Sequence, residues 1–379
     1  MMGATGAIYS IYLLSNFGER LGLIDRIESI EYALVTNDVG VMKIVITPGV
    51  TIPSTALPDG SLEVWRRTLD GVSTLVGETR WLIQRQTVTR EGNGLVKVTL
   101  FALSPLWLFG EPGRFIDAYA TSSGALKTGT FDNIMKAYVR ENAGSSASGS
   151  RRILGLTVDP DTSQAPSTTK SAAWQPLLKV LKDLADASAQ SGTYLAFDLI
   201  ATGDVSGLGL IFQTFVGQRG IDRRITSGNG AVVLGSAYGN LAETTMEVDY
   251  SSEVTFCKAG GQGDGPGRLI GSYTNTDRTT ATPLRWREVF KDATMYDSTT
   301  GLNDEAESVV RANRVRAVIG GKVQATQDTQ FGRHWNWGDY VTVQEFGYQF
   351  DARIDAVSVT YTGGREEVNA VVRAEVFLT

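Results

Sequence analysis

The sequence predicts a β-rich α+β protein in which two small β-barrels enclose an α+β insert. Three observations lead to this fold class. Strand-like runs at even spacing fill roughly the first 110 residues, helical periodicity appears in the middle of the chain, and strand patterns return towards the end. The 42 glycines, among many valines, threonines and tyrosines, are typical of short strands joined by tight turns.

Residues 1–110 form the first predicted barrel region. The turns between its strands are marked by residues 37–40, Asp70-Gly71 and residues 92–94. Asp-Gly between alternating runs is a strong hairpin signal, and such regular spacing indicates a barrel or sandwich. The predicted strands are residues 8–14, 31–35, 41–46, 62–68, 79–88 and 95–101. A further strand is predicted to begin at Val72, after the Asp70-Gly71 turn.

Residues 111–240 are predicted to be the α+β insert. An amphipathic helix covers residues 131–140, and a second helix starts at Pro176, a residue favoured in a first helical turn, and ends at Ser191-Gly192. Two strands are expected after it, over residues 194–200 and 208–215. The polar stretches between the two helices, residues 144–150 and 157–172, are expected to be loops.

The rest of the chain divides into a β-rich linker region, 241–301, and a helix followed by the second barrel, 302–379. The helix is predicted over residues 304–319, with Asn303 as its cap and Gly320-Gly321 as its stop. Its acids come first and its arginines last, as the helix dipole favours, so the arginines form a solvated helix face. The predicted strands of the linker and the barrel are residues 244–250, 254–257, 284–290, 323–326, 340–344, 352–361 and 368–377.

Composition and charge disfavour several classes of function. The net charge of −6 includes no basic block, which disfavours nucleic-acid binding. The single cysteine, Cys257, allows no intramolecular disulfide, and the single histidine, His334, excludes zinc sites built on several histidines. No apolar run is long enough for a membrane span, and residues 1–6 have no signal-peptide pattern.

A glycine-rich stretch at residues 257–268 raises the question of phosphate binding. A phosphate loop leads into a helix and, in P-loops, carries a Gly-Lys-Ser/Thr motif, whereas this stretch leads into a strand pattern and has no such motif. Its glycines fit a wide turn with positive φ angles, or a loop that lies against another backbone at a subunit interface. The candidate interface glycines are Gly260, Gly261, Gly263, Gly265 and Gly267.

No catalytic, cofactor or metal site is predicted. Asp159 and Asp161 are the nearest pair of carboxylates that could suggest glycoside hydrolysis, but their Pro-separated, polar context favours a turn. His334 is expected to be a packed or surface residue because no nucleophile motif accompanies it.

With these patterns placed, the chain resembles the tail hub proteins of long-tailed bacteriophages, which are related to the baseplate hubs of contractile tails. The order and spacing of four short stretches carry the resemblance across nearly the whole chain. These stretches are residues 39–44 with 81–83, 174–181, 257–265 with 286–292, and 337–343. The family has no catalytic residue set to transfer.

The resemblance implies tail-tube-like barrels, three copies in a homotrimeric ring at the distal end of the virion tail, and a lumen for DNA. Its implied partners are the tail tube or distal tail protein, the tape-measure protein and the tail-tip or fibre proteins. An acidic balance suits a lumen that DNA crosses without binding. The alternative is a tail protein that binds or degrades host-surface glycans, with Trp335 and Trp337 as a sugar platform; packing of these rings on a barrel core is favoured over it.

Overall fold

A computed structural model describes residues 7–24, 26–47, 59–110, 126–172, 175–203, 207–281, 283–294, 296–324, 326 and 328–374. The chain is rich in β-strands, as predicted. Most of the strands belong to one 15-stranded sheet, called the main sheet below. In spatial order its strands are residues 241–249, 316–323, 365–374, 348–362, 27–35, 41–46, 96–103, 81–90, 61–68, 7–14 and 20–24, and residues 73–75, 222–223, 233–234 and 340–345 pair off this path.

The first part of the chain supplies the strands from β1 to β8. The predicted turns separate them, and Asn37 and Gly71 in those turns adopt the positive φ angles that the turns require. The bounds are β1 Ala7–Leu14, β2 Arg20–Ile24, β3 Ile27–Val35, β4 Val41–Ile46, β5 Ser61–Thr68, β6 Ser73–Leu75, β7 Trp81–Arg90 and β8 Val96–Leu103.

The insert contains both predicted helices. In α2 the leucines at helical spacing pack into the insert core, and Pro176 lies immediately before the first helical residue. Residues 157–172 are not wholly a loop, because their ends pair with neighbouring strands as β10 and β11. The bounds are β9 Leu126–Thr130, α1 Phe131–Asn142, β10 Leu156–Val158, β11 Ser167–Ser171, α2 Leu177–Gln190, β12 Leu195–Ala201, β13 Leu210–Val216, β14 Asp222–Arg223 and β15 Val233–Leu234.

A small module of one helix on a three-stranded sheet follows; residues 250–315 are called the α4 module. Its sheet has the order β18-β17-β19, with α4 on one face. The strands β16 and β20 lead from the main sheet to the module and back. The bounds are β16 Leu241–Asp249, β17 Phe256–Gly260, β18 Ile270–Thr274, α3 Thr276–Ala281, β19 Glu288–Asp292, α4 Thr299–Ala312 and β20 Arg316–Val323.

Two predictions in this region were wrong. The helix over 304–319 begins earlier, capped by the Ser298 hydroxyl, and ends at Ala312. Gly320 and Gly321 lie inside strand β20, where Gly321 allows close packing against Leu241 of β16. The strand expected over 284–290 is shifted towards the carboxyl end because a 3₁₀ turn, Pro283–Arg285, precedes β19.

The last three strands join the two β regions of the chain. They are β21 Tyr340–Glu345, β22 Tyr348–Thr362 and β23 Arg365–Ala374. In β22, residues 348–353 pair with β21 and residues 356–362 pair with β3. A register shift near Ile354 lets this long strand serve both neighbours. The two β regions therefore share one sheet and one buried apolar core, the main core.

Candidate assembly surfaces

Both ends of the main sheet are open edges. Within the described part of the chain, β2 pairs only with β1, and β16 pairs only with β20. An unpaired edge offers a row of backbone N–H and C=O groups to another strand. These two strands are therefore the candidate sites for pairing between copies, and they are called the β2 edge and the β16 edge.

The two edges differ in composition. The β2 edge exposes Leu21 and Leu23. Charges of both signs lie beside them, since Glu19 and Arg26 are exposed and Arg20 is already paired with Glu63 at 2.6 Å. The β16 edge alternates partly buried residues with exposed acidic and polar ones, among them Glu247. The β2 edge is therefore mainly apolar, whereas the β16 edge is acidic.

A long hairpin projects beyond the sheet. The β4 strand pairs with β8 only up to Val98, whereas β7 and β8 continue to pair with each other as far as Arg90 and Val96. Most side chains of this distal part are exposed on both faces, including Val88 and Leu95. Apolar side chains on a projecting hairpin are suited to contact with a neighbouring protein.

A buried ion pair ties the two ends of the chain together inside the main core. Arg66 of β5 forms a bidentate pair with Glu366 of β23, at 2.8 and 2.6 Å, and the two side chains are 4% and 0% exposed. Tyr9 of β1 donates its hydroxyl to the same carboxylate at 2.6 Å. Burial, with the neighbouring Tyr32 and Glu366, holds the pKa of Tyr9 well above its ordinary value, so its hydroxyl stays protonated and can donate.

A second polar cluster fixes the insert to the main sheet. Arg219 pairs with the buried Asp198 of β12 at 2.9 Å and lies over the Trp337 ring at 3.8 Å. Asp339 accepts from the backbone N–H of Ile221 at 2.7 Å and from the side chain of Arg223. Burial raises the pKa of both carboxyl groups, although their arginine partners oppose the shift. The connection is therefore held by desolvated, hydrogen-bonded charges.

Gly260 is the last residue of β17, and the other four candidate glycines lie in the turn between β17 and β18. Gly263 and Gly265 have positive φ angles, as the turn interpretation requires. A Cβ on Gly260 would meet Phe290 and Arg268, and one on Gly261 would meet the Tyr296 carbonyl and Leu302. The second half of the turn, from Gly265 to Gly267, is an exposed 3₁₀ turn. The first glycines thus serve packing within the chain, and a role of the turn at an interface stays a prediction.

The two tryptophans proposed as a sugar platform lie in the main core. Trp335 is 1% exposed and Trp337 is 9% exposed. The Trp335 ring packs on Phe331, and the Trp337 indole N–H donates to Thr36 and to a backbone carbonyl. In this conformation the rings offer no exposed stacking face.

The residues considered for catalysis are structural where the structure places them. Asp161 pairs with Arg140, and Asp159 lies 3.8 Å from the Lys136 ammonium, so both carboxylates hold the 157–165 segment on α1. His334 accepts from the backbone N–H of Gln330, and Cys257 is buried under α4. Among the described residues, no cluster of three or more potential metal ligands occurs, and no helix is long and apolar enough to span a membrane.

Sequence reasoning missed one exposed feature, an aromatic surface on the α4 module. It is formed by Phe256, Trp286 and Phe290, whose rings come from two strands and the segment before β19. The signal in the sequence was the pair Trp286 and Phe290, but the shifted strand prediction obscured which face they share.

Comparisons with known proteins show the family and the fold of the chain. A family model described as Siphovirus ReqiPepy6 Gp37-like protein matches residues 120–372. A search of curated proteins finds no match. Trp174, part of one stretch that carried the resemblance to tail hubs, lies inside this match but outside the described residues.

Several solved structures share the fold over almost the whole chain. A tail protein from Neisseria meningitidis MC58 has a TM-score of 0.53 at 13% identity, covering 97% of this chain and 96% of that one. The 43 kDa tail protein of prophage MuSo2 from Shewanella oneidensis has a TM-score of 0.55 at 10% identity, covering 96% and 98%. The prophage tail protein gp18 from Listeria monocytogenes EGD-e has a TM-score of 0.52 at 11% identity, covering 96% and 94%.

Proposed function

The chain belongs to the Siphovirus ReqiPepy6 Gp37-like family, and from that premise we propose that it is a structural tail hub protein of a long-tailed bacteriophage. Three copies form a ring at the distal end of the tail tube, which joins tube and tip and lets DNA pass. The partners are the tail tube or distal tail protein, the tape-measure protein and the tail-tip or fibre proteins. The role is structural rather than enzymatic, since the structures that share the fold are tail proteins.

The observation that carries the proposal is the pair of open edges on one sheet. The β2 edge of one copy pairs with the β16 edge of the next, because both edges leave backbone N–H and C=O groups free for another strand. Such a head-to-tail contact closes into a ring when the rotation between copies fits a whole number of them.

The domain organisation follows from the same proposal. The predicted domains are 1–110 as the first tube-like β region, 111–240 as the insert, 241–301 as the β-rich linker region, and 302–379 as a helix followed by the second tube-like β region; that helix packs on the linker strands in the α4 module. Three copies then present six β regions, which matches a hexameric tube above and a trimeric tip below. The projecting β7–β8 hairpin faces a neighbouring ring or tip protein. The net charge of −6 keeps DNA from adhering to the ring.

The test is the native mass of the purified full chain, with negative-stain images of the same sample. The expected result is a closed ring of about 123 kDa, three times the 40.9 kDa chain. A compact monomer that stays monomeric at high concentration contradicts assembly of the chain on its own.

A double variant and its control test pairing through the β2 edge separately from the existence of the trimer. Leu21→Lys with Leu23→Lys places charges on the β2 edge, a substitution that blocks strand addition, and is expected to give a folded monomer. Leu69→Lys is the matched control, since Leu69 is an exposed leucine in the β5–β6 turn away from both edges. A trimer that persists in the double variant refutes pairing through the β2 edge while leaving the trimer itself in place.

A further inference from the structure

The α4 module leaves one face of its sheet uncovered. Its helix covers the face that carries Cys257 and Ala259. Because strand residues alternate between faces, Phe256, Lys258 and Gly260 of β17 lie on the opposite side. Within the described part of the chain, no second layer of secondary structure packs on this opposite face.

Three aromatic rings lie on this side of the sheet and are called the aromatic platform: Phe256, Trp286 and Phe290. The rings of Phe256 and Trp286 stack at 4.9 Å with an interplanar angle of 25°. Trp286 is 52% exposed and Phe290 is 54% exposed. A Cβ on Gly260 would lie 2.6 Å from the Phe290 ring, so this glycine allows the ring to lie down on the sheet.

Hydrogen-bonding side chains with balanced charge surround the platform. Lys258 lies beside Phe290 in the strand register, and Arg268 lies over the Phe290 ring at 5.3 Å. Glu288 accepts from the Trp286 indole N–H at 3.3 Å, and Asp292 pairs with Arg268. Two cations and two carboxylates give no net charge, so the surroundings favour neither an anionic nor a cationic ligand.

The size of the face indicates the class of ligand. Three strands of five residues cover roughly 230 Å² at ordinary strand spacing and rise. A stable protein interface needs about 800 Å² on each partner. The face is therefore too small to hold a protein alone, but it is large enough for a short oligosaccharide.

We propose that the aromatic platform binds a neutral, flat oligosaccharide of equatorially linked pyranose rings. The C–H faces of such sugars lie against the negatively polarised faces of the rings, and their hydroxyls reach Lys258, Glu288 and Asp292. This activity goes beyond the hub function and does not depend on the trimer.

The experiment is a titration of the ¹⁵N-labelled full chain with cellotriose and, separately, with chitotriose, up to tens of millimolar. The tryptophan indole N–H signals are recorded, and Trp286→Phe assigns the signal of Trp286. The expected result is a saturable shift of the Trp286 signal with at least one of the two sugars. Trp286→Ala and Phe290→Ala, followed by calorimetry, should each raise Kd at least about tenfold, as for a base stacked on a protein ring.

Tyr348→Ala is the matched control, because it removes an exposed aromatic ring on β22, outside the platform, and should leave Kd unchanged. Both platform rings are half exposed, so their removal is expected to leave the circular dichroism spectrum unchanged. Absence of a Trp286 shift with both sugars overturns the proposal. So does binding that survives in both alanine variants, or a Trp286 shift caused only by self-association, which would make the face a protein contact.

Discussion

Substitution of Glu366 by glutamine should be among the most destabilising single changes in the main core. The change keeps the shape of the side chain but removes the charge that Arg66 faces at 2.6 and 2.8 Å. The Arg66 guanidinium is then left charged in a site where it is 4% exposed. Its aromatic neighbour Phe331, 4.8 Å from the guanidinium carbon, offsets only part of that loss.

The expected cost is about 3–5 kcal/mol, the usual penalty for removing one partner of a buried ion pair. Replacing both partners, as in Arg66→Met with Glu366→Leu, removes the unpaired charge and should recover most of the loss. The cost of the single change is thus mainly the desolvation of a lone charge, and the double variant separates that term from lost packing.

The assay is hydrogen exchange with mass spectrometry at low denaturant, followed on peptides from β5 and β23. Glu31→Gln is the control, since it breaks the exposed Lys43 pair of the same sheet, and it should cost less than about 1 kcal/mol. If Glu366→Gln loses no more stability than Glu31→Gln, the claim that this pair holds the two ends of the chain together is refuted.

Three further changes have defined outcomes. Gly271→Ala places a Cβ 2.5 Å from Leu302 and should destabilise the α4 module by about 1–3 kcal/mol in urea unfolding. Gly267→Ala is the control, because its Cβ meets open space and should leave the stability unchanged. Equal effects of the two variants would contradict the close packing of α4 on Gly271. Burial opposes ionisation of Asp132, but hydrogen bonds to its carboxylate outweigh this effect and lower its pKa. The contribution of the Asp132 carboxylate to folding stability is therefore present above its unfolded pKa and is lost as the pH falls through the lower folded value. Asp132→Asn should flatten the acid part of the plot of stability against pH, and an unchanged plot would refute this. Burial raises the pKa of Tyr138 to about 12. The contribution of its neutral hydroxyl to folding stability is therefore complete below the unfolded pKa of about 10 and is lost as the pH rises through about 12. Tyr138→Phe should remove that alkaline loss of stability, measured by fluorescence.

Local patterns in the sequence predicted local structure well. Turn chemistry at Asp70-Gly71 and at residues 92–94 located two hairpins, and the leucine periodicity after Pro176 located α2, because each signal acts over a few residues. The end of α4 was misplaced because glycines were read as a helix stop. In the fold, Gly321 is required by the approach of Leu241, which is 80 residues away in the chain.

The arrangement of the sheet could not be predicted in this way. Alternation identifies a strand and its buried face but not its partner. The pairing of β22 with β3, and the contact of Glu366 with Arg66 some 300 residues earlier, depend on the whole chain closing on itself. The aromatic platform was missed for the same reason, since Phe256 and Phe290 come to the same face only after β17 and β19 pair in parallel.

Joining the two β regions into one sheet also determines how copies can associate. A contact of two β16 edges would set the acids Glu243, Glu247 and Asp249 against their own copies, and like charges directly opposite destabilise paired strands. Association through unlike edges avoids this repulsion, so the acids of the β16 edge favour head-to-tail association over a two-fold contact through that edge.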